Sequence, residues 1–167
     1  MQIRIRTSGA VMYEAEFRAY TKANGGPTWE TTTTEVLTAL GADVVFEGPQ
    51  ASGGTVYQYS QRSGVEQLDG KWYTKYILGP VFLDTAATDT TPAKTAAENE
   101  AAYKAQKDTE QAKSVRTTRT QKLADSDWTQ IADSTADKAA WATYRTALRN
   151  VPAQVGFPWT IVWPDAP

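Results

Sequence analysis

The spacing closest to a chemical motif is Asp125-Ser126-Asp127-Trp128-Thr129, which opens like a calcium loop. Gln130 then stands where the sharp turn requires Gly, and Ala136 where a bidentate Glu belongs. These Asp and Ser residues therefore read as helix caps, accepting bonds from free N–H groups. Gly70-Lys71-Trp72 lacks the upstream glycine spacing and the hydroxyl residue of a phosphate-binding loop. The glycines from Gly48 to Gly54 do not join a strand to a long helix. Asp and Glu total 19, but no spacing selects a pair for glycoside cleavage. The chain has no Cys and no His. That excludes disulfides, thiolate nucleophiles, the usual zinc sites, haem ligation and every His-dependent triad. The expectation is a protein that is not an enzyme, with no catalytic residue, cofactor or metal.

Composition bounds the partners. Seventeen Lys and Arg against 19 acids give a net charge of -2, with a pI near 5.2. A nucleic-acid binder needs an excess of cations to release counterions, so no nucleic acid is expected. No run approaches the length of a membrane span, and Met1-Gln2-Ile3-Arg4-Ile5-Arg6 has no apolar core of a signal peptide. Neither a membrane nor a secretory leader is expected. Hydrophobic residues make up 41% of 167 residues, and mean hydropathy is -0.50. That length holds one ordinary domain or two small ones.

The elements that position these residues change character along the chain, and the fold class they predict is α+β. Residues 2–6 alternate as a half-buried strand, with Ile3 and Ile5 on one face. Val11 to Tyr13 reads as a return strand, and Tyr13, Phe17 and Tyr20 as the stripe of a short helix. Glu35 to Gly41 reads as a helical turn with a Gly stop. Asp43 to Phe46 is a buried strand. Thr55 to Gln61 and Lys71 to Leu78 are two more strands, separated by a loop from Gly64 that ends in the turn dipeptide Asp69-Gly70. Residues 1–83 are thus expected to form a small antiparallel β-sheet domain with short helices.

Residues 84–92 hold no large apolar side chain and read as a Thr/Ala-rich linker. Thr91-Pro92 suits a helix start. A long polar helix follows over 93–125, rich in Ala, Lys, Glu and Gln, with Tyr103, Val115 and Leu123 far apart. Such a helix is a solvated spacer, or it packs against a surface the chain lacks, including another copy of itself. The region 93–167 continues as a helical hairpin with an extended aromatic tail. Ser134 to Asp137 reads as a capping box. Trp141, Tyr144 and Leu148 share one helical stripe, with Arg145 and Arg149 away from it. In the tail, Trp159, Ile161 and Trp163 share a face between Pro158 and Pro164, which suits an edge strand or an isolated extended segment.

Trp72, Tyr73 and Tyr76 read as sheet packing, and Trp128 and Trp141 as the core of the hairpin. Trp159 and Trp163 have few intramolecular partners in view and suit interface anchors. The C-terminal run is more specific. Ser126-Asp127-Trp128-Thr129-Gln130, then Trp141 with Tyr144-Arg145 and Leu148-Arg149, then Pro152 with Gln154 and Gly156-Phe157-Pro158, then Val162-Trp163-Pro164 form a combined pattern. It resembles the bacteriophage tail assembly chaperone family over about residues 98–167. The resemblance implies help in assembling a tail fibre or other tail protein, one that is trimeric, in the host cytoplasm, with the chain either released or kept in the virion tail. The alternatives are a structural virion protein, such as a fibre adaptor or baseplate component, and a receptor- or glycan-binding fibre tip. The residues expected to bind the partner are Trp128, Trp141, Tyr144, Arg145, Arg149, Phe157, Trp159 and Trp163.

Overall fold

The computed structural model describes residues 1–167. The protein is α+β and divides into two compact units, Met1–Val81 and Phe82–Pro167.

The first unit contains β1 (Gln2–Ile5), β2 (Val11–Tyr13), α1 (Glu14–Ala23), α2 (Thr34–Ala39), β3 (Ala42–Phe46), β4 (Tyr59–Leu68) and β5 (Lys71–Gly79). The strands form one sheet in the order β2-β1-β3-β5-β4. The sheet is mixed, not purely antiparallel as expected, because β3 and β5 run parallel. The hairpin explains this: β4 takes the sheet edge and β5 returns beside β3. Ile3, Ile5, Phe17, Leu37 and Ala42 make the core, with Met12, Trp29, Leu40 and Val44 packed around it.

Two expected boundaries move. β4 begins at Tyr59, not Thr55, because Thr55 and Gln58 close a turn in which the Gln58 N–H donates to the Thr55 carbonyl at 3.0 Å. It then continues through Gly64 to Leu68. Gly64 is not the start of a loop: its φ of 83° sits at a register shift between Arg62 and Val65, which is a β-bulge. The turn proper is only Asp69-Gly70, with φ of 48° and 76°, as a tight hairpin requires.

The expected stripe on α1 is also narrower. Phe17 and Thr21 are its buried residues, whereas Tyr13 and Tyr20 are exposed. Trp29 from the next loop packs on Phe17 at 5.8 Å between ring centroids. Arg18 holds that loop. It donates to the Trp29 carbonyl at 2.6 Å and the Glu30 carbonyl at 3.1 Å, and stacks over the Trp29 ring. The Thr32 hydroxyl accepts from Trp29 Nε1 and Arg18, and donates to Glu14.

The second unit contains α3 (Ala96–Asp125), a 3-10 turn (Asp127–Gln130), α4 (Lys138–Asn150) and a second 3-10 turn (Val151–Ala153). The Thr/Ala-rich segment before α3 folds back on it. Thr85 and Lys94 exchange backbone bonds of 2.8 and 3.0 Å, and Asn99 Nδ2 donates to the Leu83 carbonyl at 2.9 Å. The helix therefore starts later than Thr91-Pro92. Thr95 is its N-cap, with Glu98 completing a capping box. At α4 the cap is Asp137, not Ser134; its carboxylate accepts from the Ala139 and Ala140 N–H groups at 3.0 and 3.1 Å.

The bonds from Thr32 and Arg18 hold the Glu14 carboxyl below the ordinary glutamate range. A depressed folded pKa contributes stability that is present above the unfolded value and is lost as pH falls through the folded one. Acid unfolding followed by Trp fluorescence is therefore expected to be less steep in Glu14→Gln than in the parent, between the ordinary glutamate range and more acidic pH.

Candidate functional site

The site is the end of the second unit where α3 reverses into α4. A helix C-terminus leaves its last carbonyls without intrahelical donors. Here Arg145, from the middle of α4, supplies a donor to one of them and ties it to the turn. Its guanidinium donates to the Leu123 carbonyl at 2.7 Å, to Ser126 Oγ at 2.6 Å and to Asp127 Oδ1 at 2.7 Å. The Arg145 side chain is only 11% exposed. Helical spacing places it away from the packed stripe. Its length lets it turn back across the helix end, so it lies inside the joint.

The rest of the turn completes the joint. Ser126 and Thr129 are fully buried polar residues, and burial of such groups requires partners. Ser126 Oγ donates to the Leu123 carbonyl at 2.8 Å, and Thr129 Oγ1 to the Ser126 carbonyl at 2.7 Å. Gln130 Nε2 donates to Thr129 Oγ1. These hydroxyls donate at the C-terminal end of α3, whereas the expected caps accept N–H groups at helix starts, and Asp127 accepts from Arg145 instead. Beneath them, Leu148 and Val151 are fully buried and Tyr144 nearly so, while Ala112 and Val115 of α3 are also buried.

The aromatic residues divide into a ladder and a strap. Trp128 meets Trp141 edge-on at 6.0 Å, and Trp141 meets Tyr144 at 5.5 Å and 89°. Tyr144 is the buried foot of this ladder. Trp128 is its outer rung, 54% exposed, so it is not the hairpin core expected of it. A ring in a single 3-10 turn has packing on one side only. Arg149 is exposed one helical turn beyond Arg145.

The strap is the tail. Gln154 clamps it as a strand partner would: Oε1 accepts from the Val162 N–H at 2.9 Å, and Nε2 donates to the Val162 carbonyl at 2.7 Å. Gly156 allows the loop between them to close. A Cβ there would lie 2.5 Å from the Thr160 carbonyl oxygen. Phe157-Pro158 is a cis peptide. Trp159 Nε1 donates to Asp108 of α3 at 2.6 Å. The Arg116 guanidinium lies 5.1 Å from the Phe157 ring, and the Lys122 ammonium 5.7 Å from Trp163. Trp159, Ile161 and Trp163 are half-buried and Val162 is exposed, so the expected alternation holds without a strand forming. The long helix is thus covered along part of its length by residues of its own chain, which the sequence reading did not find.

Several members of the spacing pattern are one another's partners, among them Ser126, Asp127 and Arg145, Trp128, Trp141 and Tyr144, and Gln154 and Val162. Residues 112–167 match the phage tail assembly chaperone protein family. The match covers about the last third of the chain and begins at the buried Ala112 of α3. No curated protein and no solved structure matches the chain. The matched residues hold the C-terminal part of α3, the α3–α4 joint, the aromatic ladder and the strap. The match supports a role in phage tail assembly and an interaction with tail proteins.

Ser126, Thr129, Gln154, Gly156, Arg116 and Asp108 are site residues beyond those expected from the sequence. Ser126, Thr129, Gln154 and Gly156 stand inside the quoted pattern, so the pattern itself was their signal. Arg116 and Asp108 have none, because a cation or an acid on a polar helix does not reveal which ring will meet it.

Arg145→Ala removes three charge-assisted bonds and a side chain that is only 11% exposed. It is expected to cost about 2–4 kcal/mol, read as a lower midpoint in a denaturant melt, and Lys at 145 restores little because it cannot fork. Gln154→Ala is expected to leave that melt nearly unchanged. It should instead speed proteolysis in residues 155–167, checked by mass mapping of the first cleavage products.

Proposed function

We propose that this chain is a tail assembly chaperone that binds a phage tail fibre protein in the host cytoplasm. The match of residues 112–167 to the tail assembly chaperone family carries this reading. The arrangement of the ladder supports it. Trp128 is held by one edge contact and half exposed, beside the exposed Ile131. A large ring fixed in place by Trp141 and Tyr144 loses little side-chain freedom on binding, which is the property of an anchor residue. Arg149 provides an exposed cation on the same helix as Trp141. Val155 and Val162 add exposed apolar surface on the strap.

The eight expected partner-binding residues then have different tasks. Trp128, Trp141 and Arg149 touch the fibre. Tyr144 and Arg145 hold the ladder and the joint in shape. Phe157, Trp159 and Trp163 spend one side of their rings on α3 and offer the other. A helper of this kind covers fibre surface that would otherwise aggregate while slow long-range contacts form.

Co-expression tests the reading. Soluble fibre protein is expected to rise when this chain is present and to co-purify with it. Trp128→Ala is expected to weaken the complex by about 2 kcal/mol, while its own melt shifts by no more than the roughly 0.5–1.5 kcal/mol of a ring contact. Equal fibre solubility with and without the chain overturns the proposal.

A further inference from the structure

The first unit holds a basin that the tail-assembly reading does not use. The strand register places Gln2, Val45, Thr74 and Tyr76 on the sheet face opposite Ile3 and Ala42. Arg62 and Tyr13 join that face through their pairing with Tyr76 and Gln2. β1 and β4 are three strand spacings apart in the sheet order, about 14 Å if the sheet were flat. Arg62 Nη2 nevertheless donates to Gln2 Oε1. Two side chains close that span only by leaning together over a curled sheet. Glu47, just beyond β3, accepts from the Tyr76 hydroxyl on β5.

The result is a concave site of about 520 Å³, within the roughly 300–1,000 Å³ of small-molecule sites. Val45 and Thr74, 6% and 2% exposed, form its floor. Gln2, Arg62, Glu47 and Tyr76 form its walls in two hydrogen-bonded pairs. Tyr13 stands at the rim with its ring 59% exposed.

We propose that this basin binds a neutral pyranose saccharide. The side chains of the walls carry one guanidinium and one carboxylate, and Met1 also lines the site. An anionic ligand would satisfy Arg62 and face Glu47, and a cationic one the reverse. A sugar hydroxyl both donates and accepts, so it can use the carboxylate, the guanidinium, the amide of Gln2 and the hydroxyl of Thr74 together. The Tyr13 ring offers a flat apolar face to the C–H face of a pyranose. The bond to Glu47 raises the Tyr76 pKa above the ordinary phenol range, which keeps that group neutral. The proposal stands apart from the tail-assembly reading, since it rests on the other unit.

The test is saturation-transfer NMR on the full chain with glucose, galactose and N-acetylglucosamine at millimolar concentration. Acetate and methylammonium, whose methyl protons report transfer, serve as charged probes. Transfer to at least one neutral sugar is expected, with affinity about tenfold weaker in Arg62→Ala and reduced in Tyr13→Ala. Glu47→Gln is isosteric and keeps the fold testable if either variant melts early; it too should weaken binding. Three results overturn the proposal: no transfer to any of the sugars, transfer only to a charged probe, or sugar binding unchanged in Arg62→Ala and Glu47→Gln.

Discussion

The second unit depends on how one helix end is closed. A 30-residue helix leaves its last carbonyl groups without intrahelical donors. Arg145 meets part of that demand from the facing helix at the Leu123 carbonyl, and binds Ser126 and Asp127 of the turn as well. Because the same guanidinium spans α3, the turn and α4, it sets how the two helices meet. The ladder from Tyr144 to Trp128 and the packing of Leu148 against α3 follow from that setting. A neutral side chain could not serve three acceptors at once, and Lys lacks the planar fork.

The first unit solves a different problem. Its helices cover one sheet face and build a small core around Phe17 and Leu37. The longest edge, β4, is blunted by the Gly64 bulge, which breaks the flat run of backbone groups that invites another strand. Curling of the same sheet brings Arg62 over to Gln2. One departure from ideal strand geometry is thus accompanied by protection at the edge and concavity on the face.

Much of this was legible in the sequence where local physics decides. The alternation of Ile3 and Ile5, the Asp69-Gly70 turn, the stop at Gly41 and the tail pattern of Trp159, Ile161 and Trp163 all depend on neighbours a few positions away. The misread positions depend on distant ones. Gly64 looks like a loop residue until its partner strand shows it to be a bulge. The parallel pairing of β3 with β5 follows from hairpin placement, not from either strand alone. Arg145 and Arg149 share a helix, yet one is buried because a helix end 19 to 22 residues earlier needs donors. The partners of polar α3 are hidden in its sequence because cation–ring contacts with Phe157 and Trp163 leave no apolar trace there.

The strap is fastened by separate points: one amide clamp at Gln154, one indole bond at Asp108 and two charged groups beneath rings. No backbone ladder makes them act together. A pull on the chain end therefore meets them in series, Trp163 first and Phe157 last, each yielding before the next is loaded. Such a fastening peels at low force and re-seats one contact at a time, whereas a paired strand would shear all at once.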